Sequence, residues 1–270
     1  MSTKVEAFQT LGKKIEEFVR PGTFPIAIKL IRSAAEIPPG GKRPKAGLEV
    51  ETFLCQNFRM VRTYGWTMAI MQEDCCCKLA RMIFGWDPPT EESARWGDQF
   101  SVGLYASDLE TSGKVREHLH LLNNEFAGVV LSPLTRTRTE PDVIFVYCMP
   151  AQAMRLIQAY LYFKGGVMQF TAAGRMGSCH EGIAKTFLTE EPQFVLLGNG
   201  DRVWGGADDA EVMFSIPKSK SELIVNGLEA THKAGLRYPI PKYMNYTPGF
   251  QASFAKEAQK RAGGTLVKEP

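Results

Sequence analysis

The stretch "PDVIFVYCMPAQAMRLIQAYLYF", residues 141–163, constrains the fold more than any other. Residues 141–148 are almost continuously apolar, which reads as a strand buried on both faces. Pro150 then stands at a first-turn position, and residues 151–163 read as a helix. The same alternation of element types runs along the chain. Val5, Phe8, Leu11, Ile15 and Phe18 fall at helical spacing within residues 4–19. Strands are predicted at 24–31, 66–71, 99–106, 128–134, 166–172 and 193–200, with one more inside 201–217. Helices are predicted at 51–64, 75–84, 111–122, about 182–189, 220–235 and 252–262, and surface loops at 38–45 and 86–98. Interleaving of this kind predicts a mixed α/β or α+β fold. No internal repeat or low-complexity linker divides the sequence. The expectation is therefore one domain over 1–270, a mixed sheet with helices packed on it.

The charge balance excludes some function classes. A formal net charge of +3 on 270 residues supplies no concentrated basic face for nucleic acid. The short basic runs at 41–45 and 135–139 read as solvated loops. The N-terminal stretch has no apolar core of signal-peptide type. No run approaches the ~18 apolar residues of a membrane span. These features predict a cytoplasmic protein without a membrane partner. In a reducing compartment the six cysteines do not form a disulfide framework, which leaves inert thiols, metal ligation or redox chemistry.

Cys75, Cys76 and Cys77 are adjacent. On a helix neighbouring side chains point about 100° apart, and on a strand the middle one faces away, so three neighbours are poor co-ligands. Cys55 falls on or near the apolar face of the 51–64 helix, and Cys148 ends the buried strand. Each alone reads as core filler. Cys179 follows the Gly-rich turn "AAGRMGS" and opens a helix. There the free N–H groups favour a thiolate, with Arg175 and His180 as added positive charge. Such a thiol suits a nucleophile, a redox group, a metal ligand, or buried filler.

The histidines give little. His118 and His120, two apart in a helix-patterned segment, point away from each other. His180, next in sequence to Cys179, is badly placed as its base. "GNGDRVWGG" (198–206) has neither the P-loop arrangement nor the G-x-G-x-x-G spacing, and reads as a loop of tight turns. No C-x-x-C pair links the separated cysteines, which disfavours a zinc ribbon.

Longer stretches carry a resemblance: "FPIAIKL" (24–30), "FLCQNFRMVR" (53–62), "DCCCKLARMIFG" (74–85), "EPDVIFVYCMPAQAMRL" (140–156), "GRMGSC" (174–179), "GDRVWGGADDAEVMFSIP" (200–217) and "GLRYPIP" (235–241). In order and wording the chain resembles the uncharacterised DUF169 family over most of its length. The resemblance brings no activity, but it implies which cysteines recur: Cys77, framed by Asp74 and Gly85, together with Cys55 and Cys179. Three thiolates without an obvious histidine partner suit an iron–sulfur site. The expectation is a [4Fe-4S] cluster held by Cys55, Cys77 and Cys179, with one iron open to a small-molecule substrate, in redox or sulfur-transfer chemistry. Arg175 or Arg202 would orient an anionic substrate. A fourth ligand from Cys75, Cys76 or Cys148 would favour electron transfer with a partner protein. Zinc on three cysteines, a cofactor-free enzyme with Cys179 as nucleophile, and a non-enzymatic soft-metal sensor are the alternatives. A homodimer is the common oligomeric state for such a chain.

Overall fold

The computed structural model describes residues 3–87 and 98–240, with residues 257, 258 and 260. The chain divides into two units, Met1–Tyr238 and Pro239–Pro270. The fold below is that of the first. Most of the expected 252–262 helix and of the 86–98 loop lies outside the described residues.

Six strands form one sheet in the order β2-β3-β1-β4-β6-β5. They are β1 (Ile26–Ile31), β2 (Met68–Met71), β3 (Gly128–Pro133), β4 (Val143–Cys148), β5 (Gln193–Val195) and β6 (Val212–Pro217). Every pairing among them is antiparallel, with Ile28 opposite Leu131 and Phe145 opposite Ser215. The mixed α/β class expected from the sequence is what forms. The continuous apolar run of β4 comes from helices on both faces of an antiparallel sheet, where such a run usually marks a parallel one.

Alternation along β4 separates the two faces. Val143, Phe145 and Tyr147 join the core under α3 (Leu54–Tyr64), α4 (Lys78–Phe84) and a π-helix at Ser178–Lys185. Ile144, Val146 and Cys148 join the opposite core, under α1 (Thr3–Val19), α7 (Pro150–Lys164) and α10 (Lys218–Lys233). Shorter helices are α2 (Pro44–Leu48), α6 (Leu109–Arg116), α8 (Thr186–Thr189) and α9 (Asn199–Val203), and residues 98–101 are helical (α5). None of the described helices is long and apolar enough to cross a membrane.

Two expected strands do not form. Residues 99–106 begin in α5 and continue as turns closed by a bridge between Val102 and Ala106. Their alternating Phe100, Val102 and Leu104 are exposed, so no sheet pairs with them. Residues 166–172 have no regular structure, and Val167 and Phe170 are exposed. Gly165 and Gly166 take φ of +70° and +72° and turn this segment off the end of α7. The expected 193–200 strand stops at Val195, and Gly198 starts α9. The expected 111–122 helix ends at Arg116, so His118 and His120 are not helical.

Candidate functional site

The sheet face under α3, α4 and the π-helix gathers the cysteines. Thr52, just before α3, pairs with Cys75 in a parallel bridge. The Thr52 N–H donates to the Asp74 carbonyl (2.9 Å) and the Cys76 N–H to the Thr52 carbonyl (3.1 Å). This short pairing lays the triple-cysteine segment beside the start of the helix that carries Cys55. Asp74 fixes the segment from within. Its carboxylate is fully buried and accepts the N–H groups of Met71 (2.9 Å) and Lys45 (3.1 Å) and the Arg43 Nε–H (2.9 Å). Gly85 ends α4 at φ +71°, and a Cβ there would run into the backbone of Asn123 and Asn124. The Asp74–Gly85 frame around Cys77 is thus a structural one: a buried carboxylate at one end, a left-handed cap at the other.

Each of the three sequence-selected cysteines opens a helical segment. Cys55 is the second residue of α3, Cys77 is the N-cap of α4, and Cys179 is the second residue of the π-helix. The backbone N–H groups of Leu79 and Ala80, in the first turn of α4, favour charge on the Cys77 sulfur and partly oppose its burial. Gly200 of α9 packs over Cys55, where a Cβ would lie 3.5 Å from Sγ. Gly182 lets the π-helix settle onto the sheet, since a Cβ there would come within 2.7 Å of the Met213 and Phe145 side chains.

The thiols share one electrostatic neighbourhood. Burial pushes Cys179 well above the ordinary thiol range, and the nearby Cys55, Cys77, Asp201 and Cys75 push it further. Burial does the same to Cys55, with Asp201, Cys77 and Cys75 adding to it. Cys77 is raised by burial, against the pull of its two N–H donors. The expectation that a helix start makes Cys179 a thiolate is therefore corrected: desolvation outweighs the free N–H groups. Among the described residues, no group of three or more His, Cys, Asp or Glu side chains is arranged to hold a single metal ion.

The remaining cysteines separate cleanly. Cys75 is buried in the same core as Cys179. Cys76 is only partly buried and sits apart from Cys179 in the core packing. Cys148 faces the α1, α7 and α10 layer, so the sheet stands between it and Cys179, which removes it as a co-ligand. Arg175 is also accounted for. It is buried, donates to the hydroxyls of Ser101 and Ser112 and to the Ser112 carbonyl, and so binds protein where a substrate role was expected. Arg202 donates to the Asp208 carbonyl at the surface. The His180 Nε2 accepts the His120 backbone N–H (3.0 Å), which fixes that ring as a structural link.

Asp201 escaped the sequence reading. It sits at the third position of α9, buried, where its carboxylate accepts the Ser178 hydroxyl (2.5 Å) and the Gly198 N–H (3.1 Å). An Asp at that position of a short helix looks like an ordinary cap, and nothing in "GNGDRV" marks it as buried. The glycines of this segment serve close approach. A Cβ on Gly205 would lie 2.5 Å from the Asp201 carbonyl oxygen and 3.2 Å from that of Cys55.

Buried thiols make a pH prediction. Unfolded cysteines ionise near pH 8.5, whereas Cys75 and Cys148 are pushed up to about 12 by burial, and Cys55 and Cys179 also lie well above the ordinary range. The folded chain then holds protons that the unfolded chain releases. Stability is full below about pH 8.5 and falls as pH rises toward about 12. Urea unfolding between pH 7 and 10 will show a falling midpoint for the metal-free protein; a flat or rising midpoint contradicts the burial argument.

The chain matches the model of the family DUF169, described as uncharacterised ArCR, over residues 14–227. It belongs to that family. It is 28% identical over 219 residues to the uncharacterized protein MJ0308 of Methanocaldococcus jannaschii, covering 81% of this chain and 92% of that one. No solved structure matches.

Proposed function

We propose that this chain carries an iron–sulfur cluster on Cys55, Cys77 and Cys179 and uses it on a small molecule in redox or sulfur-transfer chemistry. The observation behind the reading is that three cysteines, far apart in sequence, open three helical segments in one buried neighbourhood on one sheet face. Thiolate is the preferred donor for such a group. Burial makes free thiolates costly there, and a cationic centre offsets that cost. A single zinc ion is the alternative metal. Metal–sulfur bonds of ~2.3 Å require its thiolates to converge on one point, and these side chains are not so arranged. The same holds for a cluster: the three sulfurs are not arranged around a common centre in the metal-free chain, so loading must draw them together.

When bound, the cluster supplies electron transfer or a Lewis-acidic iron. The chain's own residues do the rest. The Leu79 and Ala80 N–H groups stabilise charge on the Cys77 sulfur. The core containing Phe58, Phe145 and Tyr147 keeps water from the sulfurs. Arg62, ion-paired with Glu211 (2.9 Å), lies over the Tyr147 ring at 4.3 Å and holds that ring in place on the sheet face.

A cofactor-free cysteine enzyme is disfavoured because Cys179 is buried and held as the thiol. In the metal-free protein Cys179 should be alkylated by iodoacetamide at least ~10-fold more slowly at pH 7.5 than free cysteine. A faster rate would restore the nucleophile reading. The cluster reading is tested by anaerobic purification with iron and acid-labile sulfide analysis and a visible spectrum. A brown protein with both elements is expected. A colourless one that takes up neither, even after reconstitution, overturns the reading.

A further inference from the structure

We infer that the cavity beside β5 binds a small carboxylic acid that has an apolar body and an N–H or O–H donor. This site is separate from the cysteines and does not rest on the cluster reading. The cavity has a volume of about 510 Å³, within the range of sites that take small organic molecules. β5 is an edge strand of the sheet. Residues 167–171 pass beside it, with Phe170 against the Phe194 ring (centroids 5.0 Å apart) and Met168 packed on the core under α7. The other walls come from α7, the π-helix, α8 and residues 191–193.

The charges on these walls do not balance. Lys164 is answered by Glu191 (3.1 Å). Lys185 is half-buried, and its Nζ–H donates to the neutral Thr171 hydroxyl (2.6 Å). Among the described residues no carboxylate forms an ion pair with it. Burial lowers its pKa from the ordinary lysine value, and the nearby Glu181 opposes this in part. Glu181 is committed elsewhere: its Oε1 accepts the Ala173 N–H (2.7 Å) and lies 3.4 Å from the His180 Nδ1. A carboxylate entering the cavity would give Lys185 the counter-charge it lacks.

Glu191 supplies the second polar contact. Its Oε2 accepts the Tyr160 O–H and a Lys164 N–H, and Lys164 also donates to the Tyr160 oxygen. Tyr160 is buried, with the Lys164 ammonium over its ring at 4.6 Å. These bonds hold the glutamate in one orientation and leave its Oε1 open to a ligand N–H or O–H. Val167, Met168, Phe170 and Pro192 form the apolar part of the lining. Val167 and Phe170 are exposed, and an apolar ligand body would cover them. Their segment has no regular structure, so its shape can vary among homologues and change the body accepted without disturbing the polar contacts.

The metal-free full chain is titrated by calorimetry with phenyllactate, which carries a carboxylate, a hydroxyl donor and an apolar ring. Phenylpropionate lacks the donor and phenylethanol lacks the carboxylate. Saturable binding of phenyllactate is expected, at least ~5-fold weaker for phenylpropionate and absent for phenylethanol. Lys185→Met should weaken phenyllactate binding at least ~10-fold, whereas Lys185→Arg, which keeps the charge, should stay within ~3-fold of the wild type. Failure of phenyllactate to bind, equal binding of either truncated probe, or undiminished binding by Lys185→Met overturns the inference. Should Lys185→Met fail to fold, reductive methylation of the wild-type chain decides. Phenyllactate should slow modification of Lys185 at least ~5-fold and leave Lys14, which pairs with Glu229 on α10, unaffected. Equal rates at Lys185 with and without phenyllactate overturn the inference. Iron and sulfide uptake plays no part in these readouts, so the cluster reading and this one stand or fall separately.

Discussion

Replacing Gly227 by alanine should destabilise the protein by ~2–4 kcal/mol, although intrinsic helix propensity alone would favour alanine by about 1 kcal/mol. Gly227 lies in α10 where that helix crosses α7. A Cβ there would overlap the carbonyl oxygen of Ala159 and lie 2.7 Å from its carbon and 2.9 Å from its Cα. All three atoms are backbone, so no side chain can rotate away. The helices must separate, and Leu156, Ala159, Ile224 and Leu228 lose their packing together. For a chain of this size the melting temperature should fall by about 5–15 °C. Gly47 is the control. It is exposed in α2 with nothing within 4 Å of its Cβ position, so Gly47→Ala should be neutral or stabilising. Melting curves followed by circular dichroism decide. A Gly227→Ala protein as stable as the wild type would mean that the close crossing is not real.

If the proposed cluster sits on Cys55, Cys77 and Cys179, serine in place of any one of them should cut iron and sulfide uptake by ~10-fold or more, since each substitution would remove a thiolate donor. Cys148→Ala is the informative control, because that side chain lies across the sheet and should leave uptake unchanged. Cys76→Ser should also leave it unchanged, as that thiol is partly exposed and sits outside the shared neighbourhood of Cys55 and Cys179. Cys75→Ser tests the boundary. Cys75 is buried with Cys179 but is the most weakly felt of the neighbours around it. Loss of uptake in Cys148→Ala, with retention in Cys179→Ser, would move the site to the other face.

The sequence made the fold's class legible because apolar periodicity records burial directly. β4 and α7 follow from residues 141–163 with little change. It failed where apolar residues alternate without being buried. Phe100, Val102 and Leu104 copy a strand pattern, yet pairing is a property of neighbours that no local window contains. At the site, family resemblance selected Cys55, Cys77 and Cys179; the structure places their helix starts near one another without arranging the three sulfurs to hold a metal ion. Sequence spacing could not have done so, because the sheet order that gathers them is long-range. Asp201 was illegible for the same reason. So was the role assigned to Arg175, whose partners Ser101 and Ser112 lie more than sixty residues away.

The π-helix at Ser178–Lys185 makes this part of the chain intolerant of length change. Its wider winding, marked by the Gly182 N–H donating to the Gly177 carbonyl (2.9 Å), accommodates one residue more than an α-helix would. Gly182 must face Phe145 and Met213 while Cys179 faces the thiols. Deleting one residue between them would change the angular register of Cys179 relative to Gly182, and only one of the two could keep its place. The exposed segment at 166–172 carries no such paired obligation. Insertions and deletions among homologues should therefore accumulate at 166–172 and stop abruptly at 178.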